Sequence, residues 1–240
     1  MREGLRGREV ILAGGSGGLG SATAELLAAE GARLVVSYLS NSERAEKLAP
    51  MAAVVQADLT ARHDRQRLLD AAPSVYGVVV FAGDPCRVAD PSEVEEAIRR
   101  SSEQNYVGPV MLAREAAARM KEAGTAGAIV LFSTMQAISL FPGSTAYAGA
   151  KASLIHAARI LAKECRGPVN IRVNVISPGV TIAGMAEASV ASGKYDRYLE
   201  SEIVPRFGRP LDISRAVRFF LEPDNYVTGQ VLTVDGGLTL

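Results

Sequence analysis

Short apolar runs alternate along the chain with longer stretches whose apolar residues recur at three- and four-residue intervals. REVILA (8–13), ARLVVSY (32–38), AAVVQAD (52–58), GVVVFAG (77–83), GAIVLFST (127–134), IRVNVIS (171–177) and QVLTVD (230–235) read as buried strands. Helices are expected after Gly20 up to Gly31, at about 42–48, 62–71, 144–165 and 212–221. Leu154, Ala158 and Leu161 fall at i, i+4 and i+7, which turns that face of the 144–165 helix inward. Asp90-Pro91-Ser92 opens a further helical region with a cap and a first-turn proline, and it runs to about Lys121. Gly108-Pro109 should disturb it just after Asn105. The stretch 184–209 is long, mixed in character and bounded by Pro-Gly and Gly-Arg-Pro motifs, as expected of a substrate-binding segment. Strand–helix alternation over all 240 residues argues one α/β domain, a doubly wound parallel sheet of about seven strands with helices on both faces.

Composition narrows the class. Hydrophobic residues are 48% and charged residues 22%, enough for a large core and against disorder. Lys+Arg and Asp+Glu are both 26, so no basic excess points to nucleic acid or to an anionic membrane. The N-terminal MREGLRGREV lacks the apolar core of a signal peptide, and the apolar run near 75–83 is too short to span a bilayer, so a cytoplasmic location is expected. Cys86 and Cys165 are far apart and read as free thiols. No Cys/His cluster has metal-ligand spacing, so no metal is expected, and His63 and His156 read as structural or surface residues.

Two patterns carry chemistry. The first is strand, then Gly14-Gly15-Ser16-Gly17-Gly18-Leu19-Gly20, then helix. Glycines there let the backbone approach a pyrophosphate, and the helix N-terminus offers free N–H groups to it. The second is STAYAGAKASLI, which as a helix sets Tyr147 and Lys151 one turn apart on one face. An ammonium beside a phenol favours the phenolate, and a phenol so tuned exchanges a proton with an alcohol or alkoxide. Either pattern alone is also compatible with a plain turn or a plain surface pair. No carboxylate closes the second strand. Tyr38, Ser40, Asn41 and Arg44 lie there instead, a set that suits a 2′-phosphate and inclines the reading to NADP(H) over NAD(H). Asp58 follows the third strand on the ligand side of such a sheet, where it either accepts from an adenine amine or is a loop residue or helix cap before the charged helix at 62–71. Ala82-Gly83 is small enough for close cofactor approach.

With these pieces in order, the chain resembles the short-chain dehydrogenase/reductase family over nearly its whole length. The resemblance rests on Gly14-x-x-x-Gly18-x-Gly20, Asp58, Ala82-Gly83, Asn105, Tyr147-x-x-x-Lys151, Pro178-Gly179 and the tail GRPLDISRAVRFFL…YVTGQVLTVDGG, the last most similar to 3-oxoacyl-carrier-protein reductases. It implies a Rossmann-type fold with Tyr147 as general acid or base, Lys151 lowering its pKa and binding the nicotinamide ribose, and Asn105 holding a water behind Lys151. It implies cofactor contacts from Gly14, Ser16, Gly17, Gly18, Leu19, Gly20, Tyr38, Ser40, Asn41, Asp58, Leu59, Ala82, Gly83, Tyr147, Lys151, Pro178, Gly179, Val180 and Thr181. A homotetramer or homodimer is also implied.

The chain departs from the family pattern at several positions. Thr134 stands where the family has a serine. It keeps the hydroxyl on a stiffer side chain, and Ser133 should face the other way along a strand. Phe81 replaces the asparagine before Ala-Gly, Ala183 replaces a cofactor-binding threonine, and Gly17 replaces an arginine of NADP enzymes. The expected reaction is hydride transfer between NADP(H) and an apolar carbonyl or secondary alcohol, with a carrier-linked 3-oxoacyl thioester as one candidate. Ile138, Leu140, Phe141, Met185, Tyr195 or Tyr198 are expected to line the pocket. The alternatives are an NAD-dependent dehydrogenase of small polyols, sugars or ketones, and a dinucleotide-binding sensor of low turnover.

Overall fold

The computed structural model describes residues 4–88 and 90–240, apart from the side chains of Pro91 and Met185; the expected pocket position Met185 therefore lies outside the described side chains. Strands β1 (Glu9–Ala13), β2 (Arg33–Tyr38), β3 (Ala52–Gln56), β4 (Val75–Val80), β5 (Gly127–Phe132), β6 (Ile171–Pro178) and β7 (Val231–Val234) form one parallel sheet in the order β3-β2-β1-β4-β5-β6-β7. Helices are α1 (Gly18–Ala29), α2 (Ser42–Glu46), α3 (Arg62–Asp70), α4 (Val94–Ser102), α5 (Gly108–Glu122), α6 (Thr145–Glu164), α7 (Glu187–Ala191), α8 (Arg197–Glu200) and α9 (Pro210–Leu221). The sheet order reverses between β1 and β4, and in open parallel sheets that switch point opens the ligand crevice at the strands' carboxyl ends.

The central strands are buried on both faces, which is why their sequences read as continuous apolar runs. One face packs on α3, α5 and α6 through Leu68, Leu112, Met120, Leu154 and Leu161. The other packs on α1 and α9 through Leu27, Val217 and Phe220. The inward stripe expected of α6 is present, with Leu154, Ala158 and Leu161 all buried.

Three strands end two or three residues earlier than the hydrophobic pattern predicts. β3 stops at Gln56, β4 at Val80 and β5 at Phe132. The residues beyond stay apolar or small because they leave the ladder while still held to it. The N–H groups of Phe81 and Ala82 both donate to the Ala13 carbonyl, at 2.9 and 3.2 Å, and Ser133 N–H donates to Ile176 at 2.8 Å. Asp58, Ala82, Gly83 and Thr134 thus sit on loops at the open edge rather than within strands. Between α4 and α5 the chain widens into one π turn, Glu103–Val107, at the place where Gly108-Pro109 denies regular continuation. The 184–209 stretch carries α7 and α8. Its base is pinched shut by Gly208 N–H to Val180 (2.8 Å) and Ile182 N–H to Gly208 (2.9 Å). Among the described residues, no helix is long and apolar enough to cross a membrane.

Candidate active site

The glycine loop is shaped by contacts that forbid side chains. Gly14 has φ +71, and a Cβ there would lie 2.8 Å from the Ala82 backbone. A Cβ on Gly20 would lie 2.5 Å from the Gly15 carbonyl oxygen, so α1 can pack on the loop only through glycine. The loop is fastened by Ser37, whose buried Oγ accepts Gly14 N–H at 3.0 Å. Ser37 was not singled out from sequence; its signal was one hydroxyl inside the otherwise apolar β2. Gly17 caps α1 without a side-chain bond, and no acidic residue occupies the first turn. The N–H groups at that end are therefore oriented for an anion. Ser16 and Leu19 lie in the same loop and first turn, with the Ser16 carbonyl accepting from Ser21 Oγ at 3.3 Å.

Across the crevice, Gly83 lets two polar side chains meet the backbone. A Cβ there would lie 2.7 Å from Asn105 Oδ1 and 3.2 Å from Lys151 Nζ. Asn105 is buried at the π turn. Its Oδ1 accepts Asp84 N–H at 3.0 Å, and its Nδ2 donates to Asp84 O at 2.8 Å and Ser101 Oγ at 3.0 Å. Cys86 Sγ lies 3.7 Å from the same Nδ2, a neighbour that nothing in the sequence signalled. Lys151, 2% exposed, donates from Nζ to the Phe132 carbonyl at 2.9 Å. Ser133 Oγ donates to the Lys151 carbonyl at 3.1 Å, so it serves the α6 backbone. Thr134 turns the other way, toward the Tyr147 hydroxyl, whose pKa it lowers. Its Oγ1 also accepts Gln136 N–H at 3.3 Å, which caps the turn Met135–Ala137.

The electrostatics differ from the simple expectation of an ammonium lowering a phenol's pKa. Burial pushes Tyr147 up to about 12, opposed by the Thr134 hydrogen bond, which lowers it. Burial likewise pulls Lys151 down to about 8. Desolvation disfavours each charged form, and neither shift carries a contribution from the other group.

The other expected residues divide. Asp58 follows β3 on the loop, where its Oδ1 accepts Thr60 N–H and Oγ1 at 2.9 and 2.8 Å, closing a turn. Leu59 is buried beneath that turn. Asn41 caps α2 by accepting Arg44 N–H at 2.9 Å. Tyr38 ends β2, Ser40 and Arg44 are exposed beyond it, and Arg44 makes no ion pair among the described residues. Pro178, Gly179 and Val180 lead away from β6, with Gly179 pressed so close to Asp235 that a Cβ would lie 2.5 Å from it. Thr181 is not brought to the glycine loop. Its hydroxyl donates back to the Gly179 carbonyl at 3.3 Å and faces Gly208. Ala183 is the residue that reaches Gly18, 3.1 Å from a Cβ placed there. Phe141, Tyr195 and Tyr198 pack around Met135, Val180, Val204 and Phe207 beside the crevice, whereas Leu140 is fully exposed and Ile138 about half exposed. Among the described residues, no group of acidic, histidine or cysteine side chains has the makings of a metal site.

A family model described as enoyl-(acyl carrier protein) reductase matches residues 13–239. The chain is 34% identical to an oxidoreductase of Methylorubrum extorquens, covering 98% of each chain. It is 31% identical to the chloroplastic NADPH-dependent aldehyde reductase 2 of Arabidopsis thaliana, covering 98% of this chain and 95% of that one. Among solved structures, a 7α-hydroxysteroid dehydrogenase bound to NADH and 7-oxo glycochenodeoxycholic acid superposes with a TM-score of 0.88 at 30% identity, covering 98% of this chain and 95% of that one. The glycine loop at the sheet's switch point, the Tyr147–Lys151 helix and these likenesses together make the chain a member of the short-chain dehydrogenase/reductase family, an NAD(P)-dependent oxidoreductase.

Proposed function

We propose that this protein reduces an apolar carbonyl compound to a secondary alcohol with NADPH, and runs the reverse reaction with NADP+. The observation that carries the reading is buried Lys151, whose Nζ would lie 3.2 Å from a Cβ on Gly83, with Tyr147 one helical turn before it on α6. The loop fits a dinucleotide's phosphates, because close packing at Gly14 and Gly20 keeps side chains out of it and the N-terminus of α1 carries neither a side-chain cap nor an acidic residue in its first turn. When bound, the nicotinamide supplies or receives the hydride.

The chain's own part is binding and proton management. Thr134 Oγ1 and the Tyr147 hydroxyl converge on the substrate oxygen and polarise it. Tyr147, neutral at working pH, gives its proton to that oxygen as negative charge develops there. Lys151 stabilises the phenolate left behind and holds the ribose, and Asn105 fixes the Gly83–Asp84 backbone beside it. Asp58 takes the adenine amine. Phe141, Tyr195 and Tyr198 supply an apolar wall, which favours an apolar ketone or a 3-oxoacyl thioester.

The preference for NADPH rests on Arg44, an exposed guanidinium that makes no ion pair among the described residues, and on the end of β2 at Tyr38 rather than at a carboxylate. Arg44→Ala is expected to raise the KM for NADPH about tenfold and leave that for NADH within twofold, the loss of about one charge-assisted hydrogen bond. Equal KM values for NADPH in variant and parent would set the preference aside. Spectrophotometric assay with NADPH and NADH against ketones, aldehydes, a 3-oxoacyl thioester and an enoyl thioester separates the substrate classes. Turnover with sugars and NADH alone, or tight binding without turnover, would overturn the reading. Assembly as a homodimer or homotetramer belongs to the same proposal and is supported by partly exposed Val94, Ile98 and Met111 on α4 and α5. A monomer mass by light scattering would contradict it.

A further inference from the structure

An ion pair under the Asp58 loop, buried at Arg65 and partly exposed at Glu115, has no part in the chemistry above. Arg65, in the first turns of α3, is 5% exposed. One edge of its guanidinium meets Glu115 of α5, with Nε at 3.2 and 3.1 Å from the two carboxylate oxygens and Nη2 at 3.0 Å. Its Nη1 donates to the carbonyls of Leu59 and Thr60 at 2.8 and 3.2 Å. The neighbouring Asp64 accepts Asp58 N–H at 2.8 Å. Each residue of the loop 58–60 is thus held by a side chain of the same α3 turn. From the other side Leu59 rests on the start of α5, where a Cβ on Gly108 would lie 3.0 Å from the Leu59 carbonyl carbon.

Packing alone does not call for a guanidinium here. An apolar side chain would join α3 to α5 without desolvating a charge, and replacing a buried ion pair by apolar residues is often neutral or stabilising. What an apolar residue cannot do is hold two loop carbonyls while braced against a second helix. That requires a rigid fork of donors.

We propose that Arg65, braced by Glu115, is a positioning residue for the adenine end of the cofactor. It fixes the Asp58–Leu59–Thr60 loop so that the Asp58 carboxylate is presented to the adenine amine without an ordering cost on binding. The proposal rests on the reading of Asp58 as the adenine-binding carboxylate.

The test is calorimetric titration of the full chain with three probes: NADPH, adenosine 5′-monophosphate for the adenine half, and reduced nicotinamide mononucleotide for the other half. The main variant is Arg65→Leu combined with Glu115→Leu, which leaves no unpaired charge. It should weaken binding of NADPH and of the monophosphate about tenfold, the worth of one hydrogen bond, and leave the nicotinamide mononucleotide unchanged. Arg65→Lys, which keeps the charge but loses the fork, is the milder variant and should give a smaller loss with the same selectivity. Unchanged affinity for the monophosphate in both variants, or an equal loss for all three probes, would overturn the positioning role. Asp58→Asn, run in parallel, separates the two claims. If it weakens monophosphate binding while the Arg65 variants do not, only the positioning claim falls; if it has no effect, the adenine reading itself falls.

Discussion

Thr134 does two things with one hydroxyl: it lowers the pKa of the Tyr147 phenol and caps the turn that follows β5. Both need the oxygen, and neither needs the methyl group. Thr134→Ser is therefore expected to keep carbonyl reduction within about threefold, whereas Thr134→Val should cut kcat about a hundredfold by removing a donor aimed at developing charge. A steady-state assay checks both, and a Val variant of normal kcat would remove Thr134 from the chemistry. The pair one turn further on sets the pH dependence. Lys151 is held near 8, below its ordinary value, by burial. The proposed mechanism uses its positive charge in reduction, so kcat/KM should fall as pH rises through about 8; a profile flat to pH 10 would contradict this. Stability moves the other way. Between pH 8 and 10.5 the unfolded chain binds a proton that the folded chain does not, so stability rises with pH across that window by about 3 kcal/mol. Melting curves of parent and Lys151→Met should therefore converge as the pH is raised. The identities and spacing of Tyr147, Lys151 and Thr134 were legible in the sequence. The direction of the Tyr147 and Lys151 shifts was not, because it is set by burial in the assembled fold.

At the scale of elements, the sequence pattern located every strand and the long helices, and erred mainly at the carboxyl edge of the sheet. There β3, β4 and β5 stop before their apolar runs do, since loop residues that line a crevice are as apolar or small as strand residues. The disturbance expected at Gly108-Pro109 is the π turn that carries Asn105. Ser37, Cys86 and the Arg65–Glu115 brace were missed, because a single polar residue in an apolar strand, or two charges fifty positions apart, has no periodicity to betray it. The glycine loop was the most legible element, and it also makes the sharpest prediction about backbone. Gly14→Ala must accept φ +71 and a Cβ 2.8 Å from Ala82, which costs about 1–3 kcal/mol in strain before the clash is relieved. The melting temperature should drop by about 5 °C or more, and NADPH binding should weaken with it. Full stability with normal binding would mean that the loop is looser than its contacts indicate.

For the molecule as a whole, the order β3-β2-β1-β4-β5-β6-β7 brings residues far apart in sequence to one crevice. Gly14 follows β1, Gly83 follows β4, Thr134 follows β5, and Pro178 ends β6. In the proposed function the cofactor half of the site, on β1–β3, and the reducing half, on β4–β6, meet at the switch point. Strand–helix alternation made this architecture readable. The path of residues 182–207, in contrast, depends on tertiary contacts such as the Val180–Gly208 and Ile182–Gly208 bonds, and the sequence marked it only as a long connection. The central claim is that this crevice reduces a carbonyl with Tyr147 as the proton donor. The direct measurement is NADPH oxidation by the parent and by Tyr147→Phe on the same ketone or 3-oxoacyl thioester, with NADPH affinity measured alongside. The account predicts a loss of at least about a hundredfold in kcat with the affinity for NADPH unchanged within about threefold. A phenylalanine variant that reduces the carbonyl as fast as the parent would contradict it.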